Sequence, residues 1–104
     1  MSERPDDARR AMAVPTRQAE TDRAIVTEWR FPPGGHTGWH RHAYDYIVVP
    51  VTTGELAIWT GAQEVRSKLT TGVSYTRAAG VEHDVINPND TEFVFIEIEL
   101  KPLA

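Results

Sequence analysis

The chain has 104 residues, 40% of them hydrophobic and 25% charged, with a formal net charge of −4 and no cysteine. That length suits one domain around a single core, and the lack of cysteine excludes disulfides, thiolate metal sites, iron–sulfur clusters and cysteine nucleophiles. The acidic balance, with Lys and Arg scattered, argues against a nucleic-acid partner, whose phosphates require clustered cations.

In chain order, residues 1–20 stand apart from the rest. Ser2 to Ala13 is charged and Ala-rich, and Pro5 with Asp6 and Asp7 suits the first turn of a helix. The expectation for 1–20 is therefore a tail or one short helix outside the core, with the main domain over 21–104. From Arg23 the pattern becomes strand after strand. Ile25, Thr27, Trp29 and Phe31 alternate with Val26, Glu28 and Arg30 until Pro32, Pro33, Gly34 and Gly35 stop the run. A β-branched run, Tyr46 to Val51, is the longest apolar stretch and contains Pro50, so no membrane span or apolar signal core is expected, and a cytoplasmic location is the default reading. Strands follow over 56–60, 64–69, 73–76 and 81–87, separated by turns at Gly61, Gly72 and Gly80. The last, Phe93 to Lys101, sets Val94, Ile96, Ile98 and Leu100 on one face and Phe93, Phe95, Glu97 and Glu99 on the other. Short, regularly spaced strands predict an all-β sandwich or barrel.

The histidines are His36, His40, His42 and His83. On an extended segment His40 and His42 share a face, and a third imidazole from another strand would complete a chelate. Neutral imidazole suits iron, zinc, nickel and copper. His36 lies in a Gly-rich loop and is expected at the surface. Ser2, Ser67 and Ser74 have no nucleophile-elbow context, so nucleophilic hydrolysis has little support.

Gly34 followed by His40-Arg41-His42 and Gly54 resembles the first motif of the cupin family. Gly72 followed by Ala78-Ala79-Gly80-Val81-Glu82-His83 and Asn87 resembles the second. The resemblance spans about half the chain and implies a double-stranded β-helix, or jelly-roll, cupin barrel. It implies one divalent metal ion (Fe, Zn, Mn or Ni) on His40, His42 and His83, and a small-molecule ligand or substrate. The segment from Gly38 to Pro50 is similar to small bacterial cupins linked by name to β-alanine degradation. The family's activities include dioxygenases, isomerases, decarboxylases and lyases as well as binding domains, so a metal-dependent dioxygenase or related enzyme on a small organic acid is expected, with a non-catalytic ligand-binding or sensor module as the rival.

Two departures from the family pattern stand out. Ala78 replaces the usual proline of the second motif. The usual glutamate after the second histidine is also missing, its place taken by Tyr46 and Ile47, with Asp45 one position short. The site is then either a three-histidine centre, or one completed by Asp45 from a bulge, or one into which Tyr46 projects to bond a bound group. Three histidines with Tyr46 contacting the bound group is the favoured reading. Asn87 is expected to brace the turn at Pro88 rather than touch a ligand, and Trp29 to be core; Arg77 and Glu82 could recognise a charged substrate, but a solvated surface role is the favoured reading. Apolar residues on both faces of the last strand predict a homodimer, with one face filling the barrel and the other covered by a partner.

Overall fold

A computed structural model describes residues 10–103. Nine strands run in chain order: β1 (Val14–Glu20), β2 (Ala24–Phe31), β3 (His40–Arg41), β4 (Asp45–Pro50), β5 (Gly54–Trp59), β6 (Glu64–Leu69), β7 (Tyr75–Arg77), β8 (Glu82–Ile86) and β9 (Phe93–Leu100). They form two sheets, one of five strands in the order β1-β2-β9-β4-β7 and one of four in the order β3-β8-β5-β6, with every pairing antiparallel. This is the all-β jelly roll expected. No helix occurs among the described residues, so none is long and apolar enough to cross a membrane.

Alternation decides which residues meet between the sheets. In β9, Phe93, Phe95 and Glu97 are buried on the inner face, while Ile96 and Ile98 are half-buried on the outer one. Ladder partners share a face, so Phe31 of β2 stands opposite Phe93, Trp29 opposite Phe95, and Val48 of β4 opposite Glu97. The four-stranded sheet contributes Leu56, Leu69 and Val85 to the same core, where Phe31 and Phe93 are both wholly buried. Phe31 and Phe95 pack with ring centroids 5.5 Å apart.

One expectation needs correcting. Val14–Glu20 is neither tail nor helix but strand β1, paired antiparallel with β2 from Val14 opposite Arg30 to Glu20 opposite Ile25. All seven of its residues are exposed. Backbone hydrogen bonding to the edge of β2 holds it there, without burial of its side chains, so the hydrophobic pattern that betrays the other strands is missing. Pro15 is tolerated because β1 is an edge strand, and a register shift between Arg17 and Ala19 distorts that edge. The helix expected from Ser2 onward falls largely on residues outside those described.

Gly80 adopts φ +95°, a left-handed conformation that side-chain-bearing residues rarely take, and an added Cβ there would meet nothing closer than 3.7 Å. Backbone geometry therefore explains this glycine, rather than crowding at the barrel mouth. Asn87 braces its turn as expected: the amide Nδ2 donates to the carbonyls of Phe31, Pro32 and Thr91, and Oδ1 accepts from Asn89 N–H at 2.9 Å. Because Asn87 is completely buried, Asn87→Ala strips these carbonyls of their partner where water cannot replace it. The substitution should destabilise the protein by about 2–4 kcal/mol in urea unfolding. A loss below about 1 kcal/mol would mean that the turn does not depend on this amide.

Candidate metal centre

Strand β3 is only two residues long, but it sets the site. It pairs with β8 so that His40 stands directly opposite His83. The ladder continues one step, with His42 N–H donating to the Val81 carbonyl at 2.9 Å. Period-two alternation then brings His40, His42 and His83 to the inner face of the four-stranded sheet. The Nε2 atoms of His40 and His42 lie 3.0 Å apart and those of His42 and His83 lie 3.1 Å apart. All three rings meet edge to face.

That spacing fits a shared ion. Neighbouring nitrogens about 2.1 Å from one cation lie about 3.0 Å apart at a right angle and about 3.4 Å apart in a tetrahedron. The proton inventory agrees. His40 Nδ1 lies 2.8 Å from the Gly38 carbonyl, which can only accept, so that nitrogen carries the proton and a neutral ring turns a bare Nε2 toward its neighbours. Burial, and after it the charge of His40, holds His42 down to about 4; burial, then the charges of His40 and His42, holds His83 down to about 3. Both are therefore neutral at physiological pH and able to act as ligands. The three ring nitrogens converge, and His40, His42 and His83 could hold a cation.

The loop before β3 is fixed by a residue that the sequence reading left unused. Asp84 is almost fully buried and takes the Gly38 N–H at 3.0 Å on Oδ1. Gly38, at φ +84°, thereby presents its carbonyl to His40. The same carboxylate meets His36 Nδ1 at 2.9 Å through Oδ2. His36 is thus not a surface residue. It is buried, its backbone bridged to Met12 on one side and Ile86 on the other. Thr37 Oγ1 adds a contact to His40 Nδ1 at 3.2 Å.

The five-stranded sheet supplies the other wall. A cavity of about 70 Å³ opens beside the histidines, its facing wall built from Tyr46, Tyr75, Arg77, Trp29 and Glu97. Tyr46 is buried and stacks on His42, with centroids 3.9 Å apart and planes 22° apart. Burial, ahead of the charge of Glu97, pushes its phenol up to about 12, so the hydroxyl keeps its proton. Asp45 points the other way: it is exposed, accepts the Ala79 N–H at 2.8 Å, and lies on a strand whose register with β9 runs unbroken. No bulge turns it inward. The carboxylate that does enter the cavity is Glu97, which takes the Trp29 indole N–H at 3.3 Å on Oε1. Its Oε2 is 3.8 Å from His42 Nδ1, too far for a hydrogen bond. Desolvation pushes Glu97 up to about 7. Sequence reasoning placed Glu97 on the face of Phe93 and Phe95 without drawing the consequence, since that face is the cavity's. Trp29, read as core, and Arg77, read as solvated, both line the cavity, and Arg77 keeps an exposed side chain as well.

Comparisons with known proteins point to one family. The family described as Cupin domain matches residues 27–99. The beta-alanine degradation protein BauB of Pseudomonas aeruginosa is 51% identical over 92 residues, covering 88% of this chain and 97% of that one. A crystal structure of a cupin domain from Bordetella pertussis superposes with a TM-score of 0.87 at 64% identity, covering 89% of this chain and 97% of that one. A cupin-2 domain-containing protein from Shewanella frigidimarina gives a TM-score of 0.61 at 25% identity, covering 85% of this chain and 80% of that one.

The buried groups predict how the metal-free protein responds to acid. The folded values of His42 and His83, about 4 and about 3, lie below the ordinary 6.5, so below pH 6.5 the unfolded chain gains protons first and stability falls. Glu97 acts in the opposite sense: raised from 4.5 to about 7, it is protonated first in the folded state, and its burial cost is relieved as pH drops through 7. Two groups outweigh one. The urea midpoint of metal-free protein should therefore decline from pH 6.5 to pH 5, and Glu97→Gln, which removes the opposing contribution, should steepen the decline. A midpoint that rises over this interval would contradict the assignment of buried, neutral histidines.

Proposed function

Because the chain belongs to the cupin family, we propose that it binds one divalent ion (iron, zinc, manganese or nickel) through His40, His42 and His83 and acts as a metal-dependent enzyme on a small organic acid, with dioxygenase chemistry leading. The observation that carries this reading is the convergence of three imidazole Nε2 atoms, two of the contacts at 3.0 and 3.1 Å, on one side of a cavity. An ion held there would supply Lewis acidity or, as iron(II), reactivity toward dioxygen.

The chain's own residues do the rest. Gly38 and Asp84 fix the orientation and protonation of His40. Tyr46, stacked on His42, is the residue we assign to contact with bound substrate, since its protonated hydroxyl can donate to an oxygen and the side chain is packed too firmly to swing. Trp29, Phe95, Leu56 and Val85 exclude water from the inner end. At about 70 Å³ the space is well below the several hundred cubic ångströms of pockets for drug-sized ligands, which favours a substrate of a few carbons. The name of the Pseudomonas aeruginosa relative points the same way, because β-alanine is a three-carbon amino acid. The reading is of a cytoplasmic protein.

The same reading includes a homodimer. Val26, Ile98 and Ile47 form one cross-strand row on the outer face of the five-stranded sheet, with Ile96 and Val49 beside it, all half-buried. A second copy of the chain would cover this apolar face. Light scattering should give twice the monomer mass at micromolar concentration, and Ile98→Lys should shift it to monomer. A wild-type monomer would remove the dimer from the reading.

Metal analysis tests the centre. Protein purified identically should carry close to one equivalent of divalent metal, and His40→Ala with His83→Ala should lose nearly all of it. Unchanged metal in the double variant would refute the site. Asp45→Asn should leave metal content alone, whereas Tyr46→Phe should spare the metal and lower turnover or ligand affinity by roughly ten- to a hundredfold. The reverse order would mean that Asp45 serves the metal. Metal and ligand bound without turnover of small organic acids under air would mark a binding module.

A further inference from the structure

We propose that Arg77 is the specificity-determining residue of the cavity, a carboxylate anchor that restricts the ligand to short acids carrying a second donor group at the far end. This rests on the proposed metal centre for the far end, but the anchor itself is defined by residues of the five-stranded sheet.

Register places Arg77 at the cavity. In β7, alternation turns Tyr75 and Arg77 to the inner face and Thr76 to the outer one, and pairing sets Tyr75 opposite Val48 and Arg77 opposite Tyr46. Arg77 thus stands beside the tyrosine that stacks on His42, and both line the cavity with the three histidines. The guanidinium carbon lies 4.6 Å from the centroid of the Tyr75 ring, and Nη1 donates to the Thr76 carbonyl at 2.8 Å. These two contacts restrain the side chain at the mouth and commit one of its five N–H donors.

Its charge has no answer within the described residues. Arg17, Arg30 and Arg66 each form ion pairs with glutamates, whereas no carboxylate among the described residues lies within ion-pair distance of Arg77. The carboxyl lining the cavity, Glu97, is engaged with Trp29 and buried at the inner end. With neutral imidazoles around a divalent ion, the cavity's formal charge stays positive even when Glu97 is counted as ionised. An anion is what this field selects, and a planar fork suits a carboxylate better than a point charge would. The small volume sets the other limit. One end of the ligand on Arg77 and the other at the histidines leaves room for a chain of only a few carbons.

The experiment titrates 3-hydroxypropionate, and its uncharged amide as control, into wild-type, Arg77→Met and Arg77→Lys proteins. It is done with Co(II)-loaded protein, followed by visible absorption, and with metal-free protein, followed by the nitrogen-15 resonances of the backbone amides. Arg77→Met should weaken acid binding by roughly 10- to 100-fold in both forms, with Lys between, and leave Co(II) affinity unchanged. The amide should bind weakly and equally to all three. Equal acid affinity in wild type and Arg77→Met, or an amide as tight as the acid, overturns the anchor. Failure of the wild type to bind Co(II) would overturn the metal reading instead, and the metal-free titration would still decide Arg77.

Discussion

The pairing of His40 with His83 across β3 and β8 is the constraint on which the site depends. Two imidazoles on directly opposed residues of antiparallel strands are held at a fixed separation by backbone hydrogen bonds, without long side chains having to be ordered. His42 is then two residues along the same strand direction and on the same face. The chelate is a property of backbone register, and only ring rotation is left for side-chain contacts to set. Asp84 governs that remaining freedom for His40. It lies on the other face of β8, next to His83 in sequence, and holds Gly38 and His36. One strand therefore carries both His83 and the residue that aligns His40.

Much of this was legible in the sequence, and the reasons differ by element. Strands β2, β4 and β9 bury one face, so their alternation could be read directly, and the ligand histidines fall on spaced motif positions. Strand β1 could not be read, because it buries nothing: the edge of β2 attracts it through backbone groups that every residue possesses. His36 was misplaced for a related reason. A glycine-rich loop reads as surface, but this one runs between residues 11–13 and β8, and only tertiary contact reveals a buried carboxylate waiting on the far side. Trp29 packs on the core and Arg77 is exposed, as read, but both also line the cavity, which residue type alone does not reveal. An arginine can be exposed and still line the interior, and a tryptophan can be packed as core and still lend its N–H to a buried acid.

The position of the family's glutamate deserves a physical account. In this chain Tyr46 occupies that region of β4, and its ring covers one face of His42. The carboxyl that reaches the cavity arrives from the neighbouring strand β9 instead, where Glu97 stands two rungs from Tyr46 on the same face. The exchange moves negative charge away from the histidine Nε2 atoms to the side of His42 that carries Nδ1. A cation bound by imidazoles alone keeps its full charge, whereas one bound by an added carboxylate does not. A cation held there would thus be more electrophilic, with a carboxyl set back from it, and that combination would suit anionic ligands.

The histidines belong to one sheet, and Tyr46, Tyr75 and Arg77 belong to the other. Residues 42–44 and 78–81 join the two sheets beside the site, and along the rest of its length no shared strand fixes the gap between these two sets of groups. It is set by the side chains wedged between the sheets, Phe31, Phe93 and Leu69 among them. The core is therefore also the gauge of the site: the thickness of its packed layer fixes the span between the two ends of any ligand that bridges the sheets. Ligand length in this protein is measured by residues that never touch the ligand.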